Sequence, residues 1–297
     1  MRILVTGASG WIGSATVAEL IAAGHQVIGL ARSDESAAKV AAQGAEAVRG
    51  SLDDPASLRA AAARAEGVVH LGYNHDFSRM AEAAQTDRTA IASFAEVLKG
   101  TGGPLLIASG TLGLANGRVA TEQDMPDPAT HPRVGNAAFT LGLAEQGIRS
   151  LVVRFAPTVH GAGGDHGFVA RLAAIAREEG VSAYIGDGAN RWPAVHRLDA
   201  AWLVRLAIEK APPASVLHAV AEEGLATRDI AIALGKFLDL PAQSIPAERA
   251  RAHFDWLGMF FGADVPASST NTRASLDWAP THPTLLEDIA AGHYPGR

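Results

Sequence analysis

Residues 1–13 read MRILVTGASGWIG, and the interpretation of this stretch decides the rest of the chain. Residues 2–5 form an apolar run short enough for a buried strand. The run passes directly into Thr6, Gly7, Ala8, Ser9, Gly10, Trp11, Ile12 and Gly13. A helical pattern follows, with Gly13, Val17, Leu20 and Ile21 on one face and Gly24 placed to end it. Strand, glycine turn and helix is the context in which spaced glycines signify dinucleotide binding. Gly7 permits the tight turn, Gly10 admits a pyrophosphate close to the backbone, and Gly13 lets the helix approach the strand. The helix N-terminus then offers N–H groups and positive dipole to phosphates. Gly161, Gly164 and Gly167 repeat the spacing, but they lie deep in the chain and open no alternation of strands and helices, so they read as structural.

Working outward, residues 25–30 give a second strand that ends at Arg32 and Ser33. An acid at this point would bind the ribose 2′-hydroxyl of NAD, whereas Arg accommodates the 2′-phosphate of NADP. Arg32 and Ser33 therefore point to NADP(H), with Asp34 read as a helix cap. Residues 45–49 make a third strand. Asp53 follows in a loop, where Asp54 caps a helix that Pro55 begins. Residues 68–73 are a fourth strand that runs into the polar loop 74–77. Residues 105–109 are a fifth, a helix spans 137–147, and residues 150–155 are a sixth. This rhythm implies an α/β fold with a doubly wound parallel sheet. Ligands of such sheets sit at the carboxyl ends of the strands. After Gly161 the pattern changes. Helices are expected at 168–179, up to Lys210, and from a Thr227 cap to Leu238, with residues 216–220 as one more strand of the main sheet. The aromatic run from Phe254 to Phe261 reads as helix core. The expected division is a Rossmann domain at 1–165 and a smaller substrate lobe at 166–297, interleaved with the main sheet.

Composition narrows the function classes. The 297 residues are 48% hydrophobic and 19% charged, enough apolar content for a sizeable core. A net charge of −6 without a Lys/Arg run argues against nucleic acid or an anionic membrane as partner. Cysteine is absent, so disulfides and thiolate metal sites are excluded. Asp165 and His166 are adjacent without a third ligand, so no metal is expected. No signal peptide or apolar run of membrane-spanning length is visible, and a cytoplasmic protein is the expectation.

With these pieces in place, the chain resembles the extended short-chain dehydrogenase/reductase family, in atypical form, over nearly its whole length. Residues 6–13 resemble that family's TGxxGxxG, with Thr6, Gly7, Gly10 and Gly13 on its fixed positions. The resemblance implies that Ser9, Trp11 and Ile12 share the cofactor turn and that Asp53 contacts adenine. It implies that Leu71, Gly72 and Tyr73 line the cofactor and that Ser109 and Thr111 occupy the hydroxyl positions of the active centre. Residues 153–161, VRFAPTVHG, resemble a segment that sets Arg154, Pro157, Val159 and His160 beside the nicotinamide. Residues 192–199, WPAVHRLD, resemble an element near the substrate, with His196 and Asp199.

One part of the pattern is missing. The family reduces carbonyls with a Tyr-x-x-x-Lys pair on the helix before residue 153, and the two positions fall near Pro128 and Pro132. No lysine occurs from residue 100 to 209, and no tyrosine between 74 and 183. Hydride chemistry belongs to the cofactor, so reduction needs only a donor for the developing alkoxide. Ser109 and Thr111 can polarise a carbonyl, and Tyr73 or His160 can supply a proton. His131 and Arg133 lie at the start of the helix that should carry the pair, where Arg133 can stabilise charge but not relay a proton. The expected function is an NADP(H)-dependent oxidoreductase acting on a small carbonyl-type substrate. A non-catalytic NADP(H)-binding redox sensor is the alternative, with a nucleotide-sugar epimerase behind both. The apolar helix with Phe139, Leu141 and Leu143 lies where relatives dimerise, so a homodimer is expected.

Overall fold

A computed structural model describes residues 1–74, 79–115, 117–128 and 132–294. Its elements alternate from the start: β1 (Arg2–Thr6), α1 (Trp11–Ala22), β2 (Gln26–Ala31), α2 (Asp34–Ala42), β3 (Glu46–Arg49), α3 (Pro55–Ala62), β4 (Gly67–His70), α4 (Met80–Leu98), β5 (Pro104–Gly110), α5 (Pro132–Gly142) and β6 (Arg149–Phe155). The second half adds β7 (Thr158–His160), α6 (Phe168–Glu179), β8 (Ser182–Ile185), β9 (Arg191–His196), α7 (Arg197–Lys210), β10 (Ser215–Ala219), β11 (Glu222–Ala226), α8 (Thr227–Leu238) and β12 (Ala242–Ile245). Four short helices close it: α9 (Ala250–Phe254), α10 (Gly258–Phe261), α11 (Thr270–Leu276) and α12 (Leu285–Ala290).

Seven strands form one parallel sheet in the order β10-β6-β5-β4-β1-β2-β3. The chain winds outward from β1 to β3, then returns to the other side of β1 with β4. The crevice where the winding reverses lies between β1 and β4, above their carboxyl ends, where such sheets bind ligands. The sheet strands are continuous apolar runs because helices cover both faces. One core joins Val5, Val17, Val69 and Val153 to α7, and a second joins Leu4, Ile28, Val68 and Leu105 to Leu58, Ile91 and Phe94. A third core belongs to the C-terminal lobe and contains Trp192, Phe254, Leu257 and Phe261, so the aromatic run is interior packing there.

Local chemistry explains where several elements begin. Asp54 accepts from the N–H groups of Ala56 and Ser57, with Pro55 as the first helical residue. At α2 the cap is Ser33, whose hydroxyl accepts from Ser36 N–H, and not Asp34. Asp34 is instead the first helical residue, exposed and 3.5 Å from Arg49. Thr227 likewise lies inside α8, its hydroxyl donating to Asn190 Oδ1 at 2.7 Å, and Ala226 takes the cap position. The helix expected at 137–147 begins five residues earlier, at Pro132, because proline suits the first turn. Among the described residues no helix is long and apolar enough to cross a membrane.

Candidate functional site

The glycine turn has the geometry its sequence calls for. Gly7 has φ +66°, and a Cβ there would lie 2.8 Å from Gly72 N, so turn and β4 end touch directly. A Cβ on Gly13 would lie 1.9 Å from Gly7 O, so α1 starts hard against the turn it follows. A Cβ on Gly10 would meet only Gly7 O, at 3.1 Å, and otherwise face open space. No side chain caps α1 at Gly10, which leaves first-turn N–H groups for a ligand.

In front of this turn lies a cleft of about 590 Å³. Gly7, Ser9 and Gly10 form its floor, and Arg32, Ser33 and Asp53 line one end. Gly72 and Tyr73 line the other. Eight residues singled out in the sequence, from four separate segments, thus line one cleft. The amino end of α4 adds Arg79, Glu82 and Thr86, which no motif marked because helix start residues of this kind are common on any surface. The volume suits a dinucleotide-sized ligand, and the uncapped helix end with the open Gly10 suits its pyrophosphate. These residues fit NAD(P).

Other expected residues serve this wall from behind or lie elsewhere. Thr6 is fully buried, and its hydroxyl accepts from Gly72 N–H at 3.0 Å. Its hydrogen is then free for His70 Nδ1, 2.6 Å away, which leaves His70 Nε2 protonated toward Asp87 Oδ1 at 3.1 Å. Asp87 Oδ2 accepts from Asn136 Nδ2 at 2.6 Å. The β1 end, the β4 end, α4 and α5 are thereby tied through one buried polar chain. Trp11 donates its indole N–H to the Val159 carbonyl at 2.8 Å, and Arg197 sits 4.2 Å over its ring. Its side chain thus fastens α1 to β7. Ile12 and Val159 pack against the main core, as does Leu71, while Pro157 is half-buried at the β6–β7 corner. Ser109 is half-buried at the end of β5, opposite Arg154. Thr111 is 1% exposed and its hydroxyl is enclosed, whereas Ser109 is only half-buried. His131 and the loop at 75–78 lie outside the described residues.

His160 departs most from expectation. It is fully buried, its Nδ1 is 2.6 Å from Asp288 Oδ2, and its Nε2 is 3.8 Å from Glu222. His196 Nε2 is 3.8 Å from the same Asp288 oxygen, and the His160 and His196 rings meet edge to face at 5.5 Å. His196 stacks on His282 at 4.8 Å. Burial lowers the His196 pKa to about 4, so it is neutral. Burial likewise raises the Glu222 carboxyl above its usual range. This cluster joins β7, β9 and α12, and no motif marks it because its carboxylates lie 62 to 128 residues from the histidines they approach. Ligand atoms of His196, Asp199 and His282 lie within 4.8 Å of one another. Protein donors already occupy two of these groups. Asp199 accepts from the N–H groups of Thr281 and His282 and from His282 Nδ1, and His196 Nδ1 accepts from Leu198 N–H. The trio braces residues 281–282 against α7. Asp165 accepts from Gly167 N–H at 2.7 Å and is not part of it.

Tyr73 stands at the far end of the cleft from Arg32. Burial raises its phenol above the ordinary value, and the nearby Arg133 guanidinium opposes that rise. Arg133 Cζ lies 4.2 Å from the ring centroid. Burial also lowers the Arg133 pKa, while Asp87 holds its charge.

Comparison with known proteins agrees with this geometry. The profile of the NAD dependent epimerase/dehydratase family matches residues 3–217. An uncharacterized protein of Schizosaccharomyces pombe is 47% identical over 99% of this chain and 100% of its own. The 2-alkyl-3-oxoalkanoate reductase of Stenotrophomonas maltophilia is 29% identical over 72% of this chain and 67% of its own. Among solved structures, Thermus thermophilus UDP-glucose 4-epimerase in complex with NAD superposes with a TM-score of 0.76 at 22% identity, covering 100% of this chain and 99% of that one.

Proposed function

The chain belongs to the NAD dependent epimerase/dehydratase family, and from that premise we propose that it is an NADP(H)-dependent oxidoreductase acting on a small ketone, aldehyde or imine. The observation that carries this reading is the single cleft with the glycine turn at its centre, Arg32 and Ser33 at one end and the Tyr73 phenol at the other. The pyrophosphate would lie on Gly7, Ser9 and Gly10, with Asp53 beside the adenine. Arg32 can make charge-assisted hydrogen bonds to a 2′-phosphate, and the α2 N-terminus at Ser33 adds positive dipole. No carboxylate precedes α2 to bind a 2′-hydroxyl; Asp34 points to Arg49.

A bound nicotinamide would supply the hydride. The protein orients the carbonyl through Ser109, brought beside the β4 end by the parallel β4–β5 pairing up to His70↔Ile107, and offers the Tyr73 hydroxyl as proton donor. His160, sealed against Asp288, is removed from that role and becomes part of the brace beneath the C-terminal lobe. The reductase name of the Stenotrophomonas maltophilia relative supports reduction of an oxo group.

The missing Tyr-x-x-x-Lys pair favours a second reading, a sensor that binds NADP(H) without turnover. One experiment separates them: NADPH consumption with a panel of ketones, aldehydes and imines, measured beside NADPH affinity on the same sample. Binding with turnover establishes the reductase. Tight binding without turnover over a broad panel establishes the sensor, and no binding removes both.

A further inference from the structure

We propose that Tyr73 and Arg133 replace the absent Tyr-x-x-x-Lys pair from exchanged positions, the phenol now coming from the end of β4 and the cation from the first turn of α5. The inference rests on the oxidoreductase reading above and assigns its proton donor. Three observations place the pair. Tyr73 lines the cleft immediately after Gly72, whose N–H binds Thr6 beneath the glycine turn. Arg133 Cζ stands 4.2 Å from the centroid of the Tyr73 ring. Arg133 is also held there from behind. Asn136, one helical turn later on the same face, donates to Ala84 O at 2.9 Å and to Asp87 Oδ2 at 2.6 Å, which fixes the start of α5 on α4. Asp87 is in turn anchored by His70, the last residue of the strand that leads to Tyr73.

A guanidinium suits this task in a way an ordinary surface cation does not. It stays charged when desolvated, stacks flat on an aromatic face, and cannot surrender a proton in competition with the phenol. Among the described residues, Arg133 from α5 and Asp87 from α4 act electrostatically on Tyr73. As the carbonyl carbon gains hydride, the C=O π pair moves onto oxygen. That oxygen takes the Tyr73 proton, the phenol O–H bond breaks, and the charge left on the phenolate is held by Arg133 until water in the cleft returns a proton. A reduced nicotinamide bound in the cleft would supply the two electrons as that hydride. Tyr73 is thus the catalytic residue and Arg133 its positioning residue. A buried phenol that is protonated at neutral pH matches reduction better than oxidation, which would need the phenolate at the outset.

The chain has three tyrosines, Tyr73, Tyr184 and Tyr294, and burial, with Asp165 beside it, raises the Tyr294 phenol above its ordinary value. In a background carrying Tyr184→Phe and Tyr294→Phe the ultraviolet absorbance of tyrosinate reports Tyr73 alone. Arg133→Met should move that titration to a pH about 1 or more higher, and Arg133→Lys should restore most of it. An unmoved or lowered titration overturns the pair. Tyr73→Phe should bind NADPH as wild type does and lose turnover by about 100-fold or more. Turnover retained in Tyr73→Phe overturns the donor assignment while leaving the oxidoreductase reading intact. Failure of the wild type to bind NADPH overturns the underlying reading and the donor role with it, and the titration still decides whether Arg133 governs the phenol.

Discussion

The two ends of the cleft were built under different constraints. The phosphate end is a backbone device. Its requirements are a positive φ at Gly7, contact between Gly7 O and the space where a Gly13 Cβ would be, and open space in front of Gly10. Only glycine meets the first two, so sequence and backbone geometry coincide residue by residue. The reaction end is a side-chain device. A proton donor needs a phenol at the right point in space, and the chain can deliver one from any element that reaches that point. Here the helix that usually supplies it begins with Pro132 and Arg133, while the phenol stands at the end of β4. Binding machinery made of backbone tolerates little change, whereas reaction machinery made of side chains can migrate between elements without altering the fold.

Substitutions at the two ends should differ accordingly. Gly13→Val should have the largest effect, because its side chain would collide with the Gly7 carbonyl in a part of the core that cannot yield. We expect loss of soluble folded protein, read by circular dichroism. A folded Gly13→Val protein would show that the turn has slack the distances deny. Gly10→Val should leave the fold intact and weaken NADPH and NADH together by about 100-fold, by filling the pyrophosphate space. Undiminished binding would place the phosphates elsewhere. Arg32→Ala should be selective. A lost charge-assisted hydrogen bond is worth about 1.5 to 3 kcal/mol, so NADPH affinity should fall about 10- to 100-fold with NADH nearly unchanged. Equal losses would mean that Arg32 does not read the phosphate.

The smallest effect concerns the brace at His196. Its pKa in the folded protein is lowered to about 4, against an ordinary value of 6.5. The unfolded chain therefore binds the extra proton first as pH falls, and folding stability drops from about pH 6.5 down to about pH 4. His196→Asn keeps an acceptor for Leu198 N–H and removes the titration. Its stability should fall less steeply than wild type over that window, measured by urea denaturation. Parallel slopes would assign the acid sensitivity to other groups.

The same contrast explains what the sequence revealed. The alternation of strands and helices, the Asp54 cap and the cleft-lining set of Gly7, Gly10, Arg32, Ser33, Asp53 and Tyr73 were legible, because each follows from a short segment with a local physical requirement. Ser33 was separable from Asp34 as the α2 cap only by the hydrogen bond it makes. His160 was misleading for a related reason. Its place next to β6 suggested the nicotinamide, yet Asp288 and Glu222 turn its ring inward, and neither is visible as its partner from 62 or more residues away. Thr111 failed likewise, because burial beyond a strand end depends on what packs over it. The stacking of Arg133 on Tyr73 joins residues 60 positions apart that share no motif.

The most direct test of the central claim is a pair of binding isotherms, NADPH and NADH, on the purified wild-type protein under one buffer condition. The account predicts saturable binding of both at a single site, with NADPH bound about 10-fold or more tightly because Arg32 meets its 2′-phosphate. Equal affinities, or tighter NADH, would contradict the NADP(H) assignment, and no binding of either would contradict the reading of the cleft itself.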